Sequence, residues 1–363
     1  MSMSIADLAA ALGAEAVGDL SLTVARPAAP GDAAEGDLAL AMEPSYEEAA
    51  RRSPARAALL WPGADWQGMG FAAALFAPRS RYVMAGVTRA FDTDLVLAPG
   101  IHPMTDIHPE AEIGEGAAIG AFVTIGPGVR IGPGARIFSH VSIAENVSIG
   151  EGALIQSGVR IMRGVQIGAG FIAQPNAVIG GDGFSFVTPE RGAVEEAKTT
   201  GRITGRGRTD IYTRIQSIGA VRLGDDVEVG AGACIDRGTV ADTTVGDGTK
   251  IDNLVQIGHN VVIGKGCMIC GNVGIAGSCR IGDRVVLGGG VGVADHVTIG
   301  SDVIVAGGSL VPSSIAPNQV MMGIPAMPRD VGIQAMVLQR KLPELFRMMR
   351  EMQKRVSKSE PTR

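Results

Sequence analysis

The chain has 363 residues, 52 of them Gly, with 46% hydrophobic but only 4% aromatic residues and a formal charge of −5. That many aliphatics exclude a disordered chain, and Gly without a three-residue period excludes a collagen-like one; what remains is a narrow core of small and branched aliphatics whose turns demand glycine. No apolar run is long enough to span a bilayer and no basic start precedes a hydrophobic block, so we expect a soluble, cytoplasmic protein with at most peripheral membrane contact and no nucleic-acid partner.

Residues 1–98 mix two helical patterns (IADLAAALGAEA and SYEEAARRSPARA) with strand-like aliphatic runs (AALLWPG and AALFAP), which predicts a small α/β domain. From Ile101 an aliphatic residue returns every six positions, at 107, 113, 119 and onward to 167 and, past the weak Ala173, at 179. The register resumes at Leu223, Val229 and Ile235, slips by four residues across TVADTT, and runs from Val245 to Val311. The fifth place of each hexad is also small and apolar, as in Ala117, Val123, Val129, Ala135, Val141 and Val147.

A helix repeats near 3.6 residues and a one-sided strand every 2, so a period of six with two inward places predicts a short strand plus a corner. Three such sides close a triangular coil of eighteen residues. Roughly nine coils, stacked like parallel strands about 4.8 Å apart, make a prism on the order of 43 Å long over residues 99–316. The period does not supply the hand of the coil.

Residues 181–217 are polar and rich in Gly, Arg and Thr, and they interrupt the prism. Such a segment is either a solvated excursion or one that closes over a ligand. Beyond GIPAMPRD the 317–363 extension turns helical, with Pro343 expected in the first turn of a second helix. Residues 329–363 carry nine Lys or Arg against four Asp or Glu, about +5 on an acidic chain. This basic face is either simply solvated or meets an acidic partner.

Cys267-x-x-Cys270 has the spacing of a redox or zinc half-site, but Cys267 and Cys279 both take the fifth, inward place of their hexads, which predicts small core thiols. Two of the five histidines fall at one corner. His259 is third in the hexad of Ile257; one coil of eighteen residues on stands Gly277, and another coil on stand Asp295 and His296. Stacking spaces His259 and His296 about 10 Å apart. A lone outward histidine is ordinarily surface. An imidazole beside a glycine N–H that no Cβ shields suits proton removal and oxyanion stabilisation, hence acyl transfer to a bound nucleophile. There is no GxSxG elbow, phosphate-binding loop or HExxH motif, and a zinc site would want a third nearby histidine, so no metal and no resident cofactor are expected.

The hexads resemble those of bacterial hexapeptide acyltransferases, which implies a left-handed parallel β-helix. IGGDGFSF (179–186), VRLGDDVEVGAGACIDRGTVADTTVGDGTKIDNLVQIGHN (221–260) and the closing GIPA are similar to the UDP-3-O-acylglucosamine N-acyltransferase family of lipid A synthesis. The resemblance implies a homotrimer that moves a (3R)-3-hydroxyacyl chain from the phosphopantetheine of acyl carrier protein to the 2-amino group of a UDP-3-O-acylglucosamine. It further implies His259 as general base, the Gly277 N–H as oxyanion donor and His296 as an aid to substrate placement. Asp252, Asn253 and Gln256, in the same matching segment, become candidates for orienting the base or binding sugar. EPSYEEA resembles the uridine-binding stretch and points to Tyr46 as a platform for uracil, with Glu43 where the family has Asn. Leu310 and nearby aliphatics are candidates for the floor of an acyl groove, with core packing the competing role. The same corner would also serve an O-acyltransferase or acetyltransferase on another nucleotide sugar, and a non-catalytic trimeric scaffold is the remaining alternative.

Overall fold

The structure is a computed structural model that describes residues 2–76, 79–93, 95–190, 192–203, 211–323 and 326–359. Ile324 and Pro325 of the GIPA motif and 204–210 of the excursion lie outside them. Contacts divide the chain into two compact units, Met1–Val96 and Leu97–Arg363, so the helical extension groups with the prism.

In the first unit, helix α1 (Ile5–Leu12) starts where Ser4 Oγ accepts the Asp7 N–H and stops at Gly13, whose φ of 58° is left-handed. Helix α2 (Glu47–Arg52) and strands Ala57–Leu60 and Ala73–Phe76 fall on the predicted segments. Helix α3 (Ser80–Phe91) was not expected from the sequence pattern. The sheet runs in the order Glu15–Gly18, Ala73–Phe76, Ala57–Leu60, Leu38–Ala41, Pro27–Ala28. Leu38, Leu59 and Leu75 turn to one face, where Ile5, Leu8, Val83 and Val87 of α1 and α3 cover them; Ala39, Ala58 and Ala74 fill the other.

The second unit is a parallel β-solenoid whose three sheets hold nine, eleven and ten strands among the described residues. Val320–Met321 adds one strand beyond the register that runs from Ile101 to Val311. Aliphatic first-place residues and small fifth-place residues fill the lumen, and where the first-place Ala173 is small, Phe171 at the fifth place of the preceding hexad sits fully buried. Most corners turn on the fourth residue, which takes left-handed φ: Gly128 and Gly134, Asn146 and Asn176, and also His140, Leu254 and His296. Asn, Asp and Gly reach that region at least cost, which accounts for much of the glycine content. Second-place glycines answer to close approach instead; a Cβ on Gly132 would lie 2.6 Å from the backbone of the next coil.

Two interruptions leave the stack intact. Ile179 pairs with Ile235 across the excursion and Ile235 with Ile257 across the slip. Helix α4 (Ala193–Thr200) lies within the excursion. Arg237, buried, donates through its guanidinium to the carbonyls of Gly219 and Arg163 at 2.8 and 3.1 Å while its backbone N–H donates to the Gly181 carbonyl at 2.8 Å, so one residue ties both ends of the excursion to the prism.

Helix α5 (Arg329–Ser359) runs through Pro343 without a second start. The missing N–H and crowded carbonyl cost least where surrounding residues are exposed, as here, since water can take the unpaired carbonyl. Among the described residues no helix is long and apolar enough to cross a membrane.

All four cysteines are free; Cys267 and Cys279 face the lumen, and burial pushes both thiols up. A thiol-reactive probe should therefore label the half-exposed Cys270 in the native protein and reach Cys267 and Cys279 only on unfolding. Mass mapping of labelled peptides checks this, and native labelling of Cys267 as fast as Cys270 would contradict the lumen placement.

Candidate active site

Ile257, Ile275 and Val293 stack in successive coils, so His259, Gly277 and Asp295 form one column at one corner, with His296 next along the chain. The N–H at this third place is not part of the parallel ladder; Pro127, Pro133 and Pro175 occupy it in other hexads. The Gly277 N–H is thus directed off the prism, and among the described residues it has no acceptor.

His259 is half-buried rather than simply outward, because the excursion covers it. A Cβ on Gly183 would lie 2.8 Å from His259 Cβ, and one on Gly277 would lie 2.8 Å from both Cε1 and Nε2. Two glycines therefore flank the imidazole, and neither tolerates a side chain without moving it.

The ring's tautomer follows from its neighbour. His259 Nδ1 lies 3.0 Å from Asn260 Oδ1. Asn260 Nδ2 donates to the Ala241 carbonyl at 2.7 Å, its Oδ1 accepts the Thr239 N–H at 3.1 Å, and its own N–H reaches Thr243 Oγ1 at 2.9 Å. With Nδ2 committed to a carbonyl, Oδ1 acts as acceptor, so Nδ1 carries the proton and Nε2, beside Gly277, presents a lone pair.

Behind the ring stands Asp236. Burial is the largest influence on its carboxyl and pushes it above the usual carboxylate range, against a hydrogen bond from Gln256 and the attraction of His259. Gln256 thus reaches the site through Asp236. His296 sits on the rim: its side chain is 75% exposed, its Nδ1 lies 3.5 Å from Asp295 Oδ2, and its N–H donates to the Gly277 carbonyl at 3.1 Å. Asp295 in turn pairs with Lys198 of α4 at 2.8 Å, and that ammonium holds its carboxyl below the ordinary range.

The other candidates stand apart. Asp252 and Asn253 belong to a different corner, where Asp252 Oδ1 accepts the Asn253 N–H and Asn253 Oδ1 caps the Ala231 N–H, each at 2.7 Å. Both line a concavity of about 440 Å³ with Lys250, Glu228 and Gln174. Leu310 is 81% exposed, which overturns core packing: it holds the outward sixth place of its hexad. Gly274 and Gly292 precede it on the same sheet, so the strip between Gln256 and Leu310 carries no side chains in that column. Tyr46 is exposed in the first unit, at the end of the short 3-10 turn Pro44–Tyr46.

Sequence reasoning missed Asp236, Asn260, Gly183 and Lys198. A signal for the first existed: Ile257 pairs with Ile235, a step of 22 that includes the four-residue slip, and Asp236 follows directly. Gly183 and Lys198 had none, since the excursion has no period to project.

Residues 101–183 match the model of the GMPPB C-terminal domain, and 242–277 and 278–313 match the bacterial transferase hexapeptide (six repeats). The fold is shared with a solved UDP-N-acetylglucosamine acyltransferase of Arabidopsis, at TM-score 0.52 and 22% identity, over 61% of this chain and 71% of that one. These matches place the molecule in the class of hexapeptide-repeat solenoid folds. A UDP-3-O-acylglucosamine N-acyltransferase of Ruegeria pomeroyi is 58% identical over 362 residues and 100% of both chains, and one of Paracoccus denitrificans is 60% identical over 270 residues, 74% of each. The chain belongs to the UDP-3-O-acylglucosamine N-acyltransferase family and is an acyltransferase.

Gly277→Ala should displace the imidazole and lower turnover by about 10²-fold, in the range for a mispositioned catalytic group. Gly289, also at a third place, has only a carbonyl 3.5 Å from a built Cβ, so Gly289→Ala should be nearly silent. Steady-state kinetics on the two variants checks this; equal rates would remove the steric coupling of Gly277 to His259.

Proposed function

We propose that the protein transfers a (3R)-3-hydroxyacyl chain from acyl carrier protein to the 2-amino group of a UDP-3-O-acylglucosamine, in lipid A synthesis in the cytoplasm. The observation that carries the reading is the lone pair of His259 Nε2 beside the open Gly277 N–H, in a chain of this family.

His259 Nε2 takes a proton from the acceptor amine as its nitrogen attacks the thioester carbonyl carbon. The carbonyl oxygen becomes an oxyanion and accepts from the Gly277 N–H. Collapse of the tetrahedral intermediate forms the amide and expels the phosphopantetheine thiolate, which takes the proton back from His259. While the imidazole is charged, the Asp236 carboxylate favours it, and Asn260 keeps Nδ1 in place. The chain needs no cofactor of its own in this sequence, because the phosphopantetheine arrives with the donor.

His296 on the rim aids placement of the donor. The side-chain-free strip toward Leu310 receives the acyl chain, with Leu310 as its floor. Tyr46 stacks on uracil. Asp252 and Asn253, at a different corner, act on the substrate held by a neighbouring prism of a homotrimer. The basic face of α5 meets the acidic carrier protein.

His259→Ala should lower turnover roughly 10²- to 10⁴-fold, the range for loss of a positioned base, without loss of fold. Rates with the carrier-protein thioester and the nucleotide sugar, both saturating, test this, and wild-type turnover would reject the assignment. His296→Ala should be milder. Replacing Arg347, Arg350, Lys354 and Arg355 with Glu should raise KM for the carrier protein at low salt and leave that for the nucleotide sugar unchanged. An unchanged donor KM would leave the basic face as solvated surface.

A further inference from the structure

At five places along the prism, the third-place N–H of one coil is capped by the Asp, Asn or Ser side chain at the third place of the next. Asp225 caps Ala169 at 2.8 Å, Asp247 caps Asp225 at 3.1 Å and Asn253 caps Ala231 at 2.7 Å. Asp283 caps Lys265 at 2.8 Å and Ser301 caps Asp283 at 3.0 Å. Gly277 and Asp295 hold the same two places in adjacent coils, and Asp is the capping residue in three of those five pairs. Yet the cap is not made. Instead the Asp295 carboxylate accepts from Lys198 Nζ at 2.8 Å, a residue 97 positions away that α4 brings to this edge; Asp247 also pairs with a lysine, but with Lys265 of its own column, and keeps its cap.

We propose that Lys198 is a positioning residue that draws the Asp295 carboxylate off the Gly277 N–H and so keeps this donor open to the reacting carbonyl oxygen. The inference rests on Gly277 as the oxyanion donor. Without the ammonium, Asp295 behaves as its counterparts do and turns to the N–H below it. It then fills the place of the oxyanion and sets negative charge where charge must develop. The pair is exposed, so its contribution to stability is small; what it fixes is the direction of one carboxylate. A glycine at 277 makes the donor approachable, and Lys198 keeps it unoccupied.

The test is steady-state kinetics on the full chain with the 3-hydroxyacyl thioester of acyl carrier protein and the nucleotide sugar. Lys198→Met preserves length and removes charge; kcat should fall roughly 10- to 100-fold, the factor by which a charge-assisted bond competes for the donor, with KM for the nucleotide sugar unchanged. Lys198→Arg should retain most of the rate. Adding Asp295→Ala to Lys198→Met should restore kcat to within about threefold of wild type, the scatter expected for surface substitutions. Adding Asp295→Asn should not, because Asn caps as Asn253 does. Amide exchange at Gly277 gives a second readout: slowed in Lys198→Met and fast again with Asp295→Ala. Wild-type kcat in Lys198→Met, no recovery with Asp295→Ala, or recovery with Asp295→Asn would each overturn the proposal. His259→Ala run alongside separates the two levels: full activity there defeats the catalytic reading itself, whereas an inactive His259→Ala beside a fully active Lys198→Met defeats only the role of Lys198.

Discussion

The structure depends on one backbone constraint, the left-handed φ taken by the fourth residue of most hexads. It turns the chain at these corners and lets the first and fifth residues point into one lumen, so that coils stack with parallel ladder bonds. Because the corners superpose, side chains far apart in sequence fall into columns with fixed spacing. Asn260 serves two local demands at once: it holds the turn at φ 60° while its Oδ1 orients the imidazole beside it.

The repeat alone gives an exposed histidine on a flat edge. Both departures from the repeat converge on that edge and make it a site. The TVADTT slip supplies the carbonyl and N–H that hold Asn260, and the excursion lays Gly183 against the ring. Arg237 fastens the excursion, and its neighbour Asp236 is half-buried, with its carboxyl raised by desolvation. Burying a carboxylate is unfavourable for folding but strengthens its action on a nearby imidazolium, since both lie where water screens them less.

Capping chemistry along the third-place columns gives the prism a repeated use for Asp, Asn and Ser side chains. At the histidine column that use is suspended: Gly277 has no side chain to cap the coil before it, and Asp295 is engaged by Lys198. At this corner the Asp side chain thus does not cap the N–H of the coil before it, as Asp225, Asp247 and Asp283 do in theirs.

The sequence by itself determined the solenoid, its eighteen-residue coil, the inward cysteines and the alignment of His259 with Gly277, because a fixed period converts spacing directly into position. The α/β unit was legible in its helices α1 and α2 and two strands, but not in α3, whose short amphipathic pattern has no repeat behind it. Pro343 reads as a helix start, yet an exposed helix passes through it, and Leu310 reads equally as core or surface until the sixth place is seen to face outward. Only the tertiary structure decided what surrounds the His259 imidazole. Asp236 is reached through a slipped register, and Gly183 and Lys198 come from an aperiodic excursion; their contacts depend on how that segment folds back, which no spacing along the chain encodes.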